Sequence, residues 1–210
     1  MDVQSALEQI AAVREGVARA NTFRGYRAAT TAVTGIIAIL TSAISQVLLD
    51  HGIYDDNVFL ILWIGAAVLC TTIVGWEMVW RVGQSGSALQ RDLSLSAVER
   101  FLPPIAAGGL LTLVFFRFNP NDVWMLPGLW MILFGLAVHA SRRLMPRYSG
   151  AVAAYYLLCG LLVLSMREQV EFSPWPMGVV FGFGQFLAAV LLKWTERAEQ
   201  AEQMESSDEI

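Results

Sequence analysis

The chain has 210 residues, of which 56% are hydrophobic and 15% charged, with a formal charge of −4 and a mean hydropathy of +0.53. A soluble domain usually carries roughly 25% charged residues. This balance excludes a disordered chain, a nucleic-acid-binding domain and an ordinary soluble enzyme. The apolar excess falls in six long uncharged blocks, the pattern of an all-α polytopic membrane protein.

Residues 1–27 come first. Val3, Leu7, Ile10, Val13 and Val17 fall on one helical face, and Gln4, Glu8, Glu15 and Arg19 on the other. This predicts an amphipathic helix at the inner interface, packed on protein in preference to anionic lipid because its first half is acidic. Three acids in the first 20 residues, and no apolar run ahead of the first block, do not fit a cleavable signal peptide.

The six-span domain is expected over residues 28–194. A bilayer core of roughly 30 Å needs about 20 helical residues. The blocks are Ala28 to Leu49, Asn57 to Trp76 (continuing to Trp80 past Glu77), Phe101 to Phe116, Val123 to Ser141, Tyr148 to Met166, and Phe172 to Leu192. The third is the shortest and contains Pro103 and Pro104 in its opening turns, so a kink or an unwound turn is expected there. Gly83, Ser85, Gly86 and Ser87 read as a loop. Ser96-Ala-Val-Glu99 has capping-box spacing, which would start the third helix just ahead of the prolines.

Charge bears on the count and the orientation. Arg14, Arg19, Arg24, Arg27, Arg81, Arg91, Arg100, Arg142, Arg143, Arg147, Lys193 and Arg197 fall in alternate connections if all six blocks span. They are 12 of the 14 positive residues. Positive residues collect on the cytoplasmic side, so both termini are placed there, with Arg81, Arg142, Arg143 and Arg147 as topology determinants. A bacterial inner membrane is the expected location. The tail, residues 195–210, holds six acids against Arg197. Its first half is expected to continue the sixth helix, as a solubilising tail or a strip for a basic partner.

Ionisable and polar residues inside apolar spans are the default site candidates. Glu77 lies near the inner end of the second helix between Trp76 and Trp80, with Arg81 one turn further on. It reads first as an ion pair that anchors helix depth, and second as a proton- or cation-binding carboxylate. His139, in the last turn of the fourth helix, lies at a similar depth, and a contact with Glu77 is geometrically allowed. Thr34, Thr41 and Ser45, with Thr30 ahead of them, form a hydroxyl stripe that serves helix packing or a polar pathway. Gln185 is the deepest amide. Gly178 and Gly182 have the small-xxx-small spacing of close helix approach.

One inner-side histidine beside one glutamate falls short of a metal site, so neither metal nor cofactor is expected. Cys70 and Cys159 sit mid-block as small apolar residues. The expected partners are membrane lipids, and a second copy or another membrane or cytoplasmic protein, with no nucleic acid. The leading function is an accessory or regulatory membrane protein acting through such contacts. A transporter or channel for a small neutral or lipophilic solute is the alternative. An inner-face enzyme using Glu77, Glu99, Arg100 and His139 comes third, since no catalytic motif joins those residues.

Overall fold

Uncharged runs rich in Leu, Ala, Val and Ile close their own backbone hydrogen bonds only as helices when water is scarce. The computed structural model of the chain describes residues 28–85, 88–142, 148–166 and 173–208, and among these there is helix and no strand. In chain order the helices are α1 (Ala28–Asp50), α2 (Asp56–Ser85), α3 (Ala88–Phe118), α4 (Leu126–Ser141), α5 (Ser149–Ser165) and α6 (Trp175–Asp208). A 3-10 segment, Pro120–Met125, leads into α4. The amphipathic helix expected over residues 1–27 lies outside the described residues, as do Arg143 and Arg147.

Five helices carry stretches long and apolar enough to cross a membrane. The exception is α5, whose 17 residues reach only about 25 Å at 1.5 Å per residue. The short span is therefore the fifth, where the third was expected, because α4, itself 16 residues, is lengthened by the 3-10 segment ahead of it to Pro120–Ser141. Helix α3 runs for 31 residues and stays helical through Pro103 and Pro104. No turn is unwound there, and the start expected near Ser96 moves back to Ala88. Ser94, Ala97, Gly108 and Thr112 are buried along α3, with Phe101 and Pro104 half-buried between them. That repeat gives one face continuous across the prolines, and its packing holds the helix together although two backbone donors are missing. The loop expected over residues 83–87 shrinks accordingly, because α2 continues to Ser85. Here neither Gly83 nor the charges of residues 88–100 mark where a helix stops.

Each helix packs on the next in chain order, and α6 returns to close on α1. The turn from α1 to α2 is built from local chemistry. Gly52 adopts φ +70°, its N–H bonds Leu49 O at 2.9 Å, and the Ile53 N–H bonds Leu48 O at 2.9 Å. This pair of bonds ends a helix on a left-handed glycine. Asp55 then caps α2 by accepting from the Val58 N–H at 2.8 Å.

Two glycine seams carry the tightest packing. In the first, α1 and α6 lie antiparallel. A Cβ on Gly178 would meet Ser42 Cβ at 2.5 Å, one on Gly182 would meet Ile39 Cγ1 at 2.6 Å, and one on Gly35 would meet Gln185 Cβ at 3.1 Å. In the second, α4 and α5 meet through Gly128, Gly135 and Gly160. A Cβ on Gly160 would stand 2.7 Å from Gly128 O. Lipid tails and apolar side chains attract each other about equally, so helices in a bilayer associate through close packing of this kind.

Candidate functional site

Three polar or aromatic groupings sit at different levels of the bundle. At one end, Thr30 in the first turn of α1 donates its hydroxyl proton to Glu77 Oε2. Arg81 Nε lies 3.4 Å from Glu77 Oε1, one turn along α2. Both carboxylate oxygens are thus engaged, and the Glu77 side chain is 19% exposed. The i,i+4 pair could be read from spacing. The Thr30 contact could not, since it depends on which faces of α1 and α2 meet.

His139 is exposed in the last turn of α4, where a basic group suits the helix dipole. Among the described residues it forms no hydrogen bond or ion pair with Glu77. Glu99 and Arg100 are likewise exposed on α3, as is Arg142 just past α4. The four residues of the enzyme reading are therefore not joined into one constellation by the described contacts.

The hydroxyl stripe of α1 is buried. Thr34 donates to Thr31 O at 2.7 Å, and Thr41 donates to Ile37 O at 2.8 Å. Both hydroxyls are satisfied by the helix that carries them. Ser42 reaches across and donates to Pro174 O at 2.8 Å, which fixes the start of α6 against α1. Gln185 is half-buried, with its Cβ against Gly35.

The second grouping lies toward the α1–α2 turn. Ser45 is fully buried, Trp63 is 5% exposed, and the Tyr54 hydroxyl lies between the two. None of Ser45 Oγ, Tyr54 Oη and Trp63 Nε1 completes a hydrogen bond of good geometry. Burial pushes the Tyr54 phenol above its ordinary value, against the lowering effect of Ser45 and Trp63, so it stays neutral throughout the physiological range. Tyr54 and Trp63 had no sequence signal of their own. Trp76 and Trp80, on the same helix as Trp63, are 71% and 60% exposed, and sequence alone does not separate the three.

The third grouping fills the middle. Tyr156 is fully buried and meets Phe134, Phe181 and Tyr155 with ring centroids 4.8, 5.3 and 5.3 Å away. Its hydroxyl donates to Phe181 O at 3.4 Å, and Tyr155 donates to Val180 O at 3.1 Å. Gly184 makes room: a Cβ there would stand 2.5 Å from Tyr156 Oη. Nearby, Trp130 stacks on Phe59 and donates from Nε1 to Thr112 Oγ1 at 3.0 Å.

Among the described residues, no group of three or more His, Cys, Asp or Glu side chains gathers as a metal ion would require. Cys70 and Cys159 are free thiols.

The arrangement at Glu77 is that of a clasp between α1 and α2. Glu77→Gln keeps an acceptor for Thr30 and gives up the charge in the partly exposed pair with Arg81, whose loss costs less than about 1 kcal/mol. Glu77→Leu removes the acceptor altogether and is expected to cost about 1–3 kcal/mol. Thermal unfolding in mild detergent checks the order, and equal losses for the two variants would remove the clasp.

No family model matches the chain, and neither a curated protein nor a solved structure does so.

Proposed function

We propose that this chain is an integral membrane accessory or regulatory protein, and that α2 and α3 form the face it offers to a partner within the bilayer. The observation that carries this reading is uneven packing. Of the apolar stretch of each helix, 33% is buried in α1 and α6 and 44% in α4, against 11% in α2 and α3. Ile61, Val68 and Leu69 on α2, and Leu102, Leu110 and Leu113 on α3, are at least half exposed. Small residues accompany them: Gly65, Ala67, Ala106 and Gly109 are exposed too. Gly65 and Gly109 have open space where a Cβ would stand. Close approach by a further helix is the most effective source of association in lipid.

The filled centre supports this reading over a conduit. Phe134, Tyr156 and Phe181 occupy the middle of the bundle, and Thr34 and Thr41 use their hydroxyls on their own helix. We place six spans in the bilayer, that of α5 being the shortest because the 3-10 segment lengthens that of α4, with both termini on the cytoplasmic side of a bacterial inner membrane. The distribution of arginine among the connections supports that orientation.

A photoreactive side chain at Val68 or Leu113, compared with one at Leu158 on α5, tests the face in native membranes. Leu158 is 67% exposed, so it is a fair control. The first two positions are expected to give one protein adduct of fixed mass, and Leu158 to give lipid adducts. Lipid adducts at all three positions would overturn the reading.

A further inference from the structure

Two prolines in succession change what the backbone of α3 offers. In an α-helix the N–H of residue i+4 bonds the C=O of residue i, and a tightened turn uses i+3. Pro103 therefore removes the donor that Glu99 O would use, and Pro104 removes the one that Arg100 O would use. Because residue 103 is also a proline, the Arg100 carbonyl has a donor at neither spacing. The helix runs unbroken through this point, so both carbonyls are held in place with acceptor capacity to spare.

These carbonyls lie at headgroup depth. About 20 residues cross a hydrocarbon core, and counted back from Phe118, the end of α3, they reach Glu99. Glu99, Arg100 and Pro103 are all exposed, and neither charged side chain has a partner among the described residues. Ser96, Glu99, Arg100 and Pro103 fall at i, i+3, i+4 and i+7, which is one helical face. Ala107 and Val114 continue that face into the apolar stretch. Leu102 and Leu113 belong to the adjoining flank. The chemistry of the face is mixed. The Glu99 carboxylate and the two carbonyls only accept hydrogen bonds, and the Arg100 guanidinium only donates them. A simple anion suits Arg100 but meets the charge of Glu99, and a simple cation has the reverse difficulty. A headgroup that carries both charges suits both side chains. A carbonyl left without a donor at the edge of the apolar layer is costly, so an ammonium with N–H groups fits better than a quaternary one, which has none.

We propose that the face of α3 around Pro103 binds the headgroup of a zwitterionic phospholipid with a primary ammonium, of the phosphatidylethanolamine type. The ammonium donates to the Glu99 carboxylate and to the Glu99 and Arg100 carbonyls, which match its three N–H groups. The phosphate accepts from Arg100 and from the Ser96 hydroxyl. One acyl chain follows Ala107 and Val114. This inference does not depend on a protein partner at α2 and α3, and either reading can fail without the other.

Native mass spectrometry of the full-length protein, in mild detergent with equal amounts of dioleoyl phosphatidylethanolamine and dioleoyl phosphatidylcholine, tests the site. The two lipids share phosphate and acyl chains and differ in N–H donors. The retained ratio is expected to favour the ethanolamine lipid by about three- to tenfold, the net worth of one hydrogen bond. Glu99→Ala should lower that ratio. Pro103→Ala with Pro104→Ala should lower it too, without loss of the fold, because alanine returns both N–H donors to the helix. The three changes together should bring the ratio close to one. Arg100→Gln should reduce retention of both lipids and leave their ratio unchanged, since the phosphate is common to them. Equal retention of the two lipids by the unaltered chain overturns the proposal. A preference that survives the three changes together places the lipid elsewhere and overturns this site. With dioleoyl phosphatidylglycerol also present, displacement of the ethanolamine lipid overturns the ammonium assignment in favour of an anion at Arg100.

Discussion

Gly160→Ala is expected to destabilise the bundle by about 2–3 kcal/mol, at the upper end of what overpacking a tight site costs. The reason is the nature of the obstacle. The added methyl would stand 2.7 Å from Gly128 O and 3.0 Å from Ile132 N. These are backbone atoms, and they do not swing aside as a side-chain tip does. Helices α4 and α5 must separate along their length, and Gly128 and Gly135, which make the same kind of contact, lose theirs with it. For a chain of this size the loss corresponds to roughly 5–10 °C in Tm. Gly65→Ala is the matched control, since nothing lies within 4 Å of its added methyl, and it is expected to leave Tm unchanged or slightly raised. Melting curves of the two variants in the same detergent decide the matter, and equal Tm values would mean that the α4–α5 seam is not a tight contact.

Tyr156→Ala is expected to cost more, about 3–5 kcal/mol, the usual range for deleting a large buried aromatic side chain. Three rings lose their common neighbour at once, and α4, α5 and α6 lose their shared centre. Tyr156→Phe removes only the bond to Phe181 O and should cost about 0.5–1.5 kcal/mol. A sharper test uses Gly184, whose added methyl would strike the Tyr156 hydroxyl and ring. Gly184→Ala should be harmful alone and nearly harmless in the Tyr156→Ala background. The expected coupling is about 1–3 kcal/mol, as for residues in direct contact. Strict additivity of the two changes would show that Tyr156 does not occupy the space beside Gly184.

The helices were legible because lipid-like composition and hydrogen-bond closure leave the chain few alternatives. Their ends were less legible. Ala88–Arg100 carries charges, so it reads as a connection, yet Ser94 and Ala97 continue the buried face of α3. The periodicity was there, but a count of uncharged residues passes over it. The site divides in the same way. Glu77 with Arg81 is local and follows from spacing. Thr30 as the other partner of Glu77, Tyr54 between Ser45 and Trp63, and Tyr156 against Gly184 all join residues from different helices. Adjacent Tyr155 and Tyr156 have the same chemistry, and neighbours on α4 and α6 decide which of them is fully enclosed. Gly35 had a signal that was available: it shares a face with Ala38, Ser42 and Ser45, all small and all buried.

The length of α5 has a consequence for the surrounding membrane. A helix of 17 residues is about 5 Å shorter than a typical hydrocarbon core of about 30 Å. Leu158, Leu161 and Leu162 face outward along it, so in the proposed six-span arrangement acyl chains meet it directly. Those chains must compress to match it, at a cost of fractions of a kcal/mol per Å of mismatch. In that arrangement the bilayer thins along this flank, and lipids with shorter tails gather there in preference to longer ones.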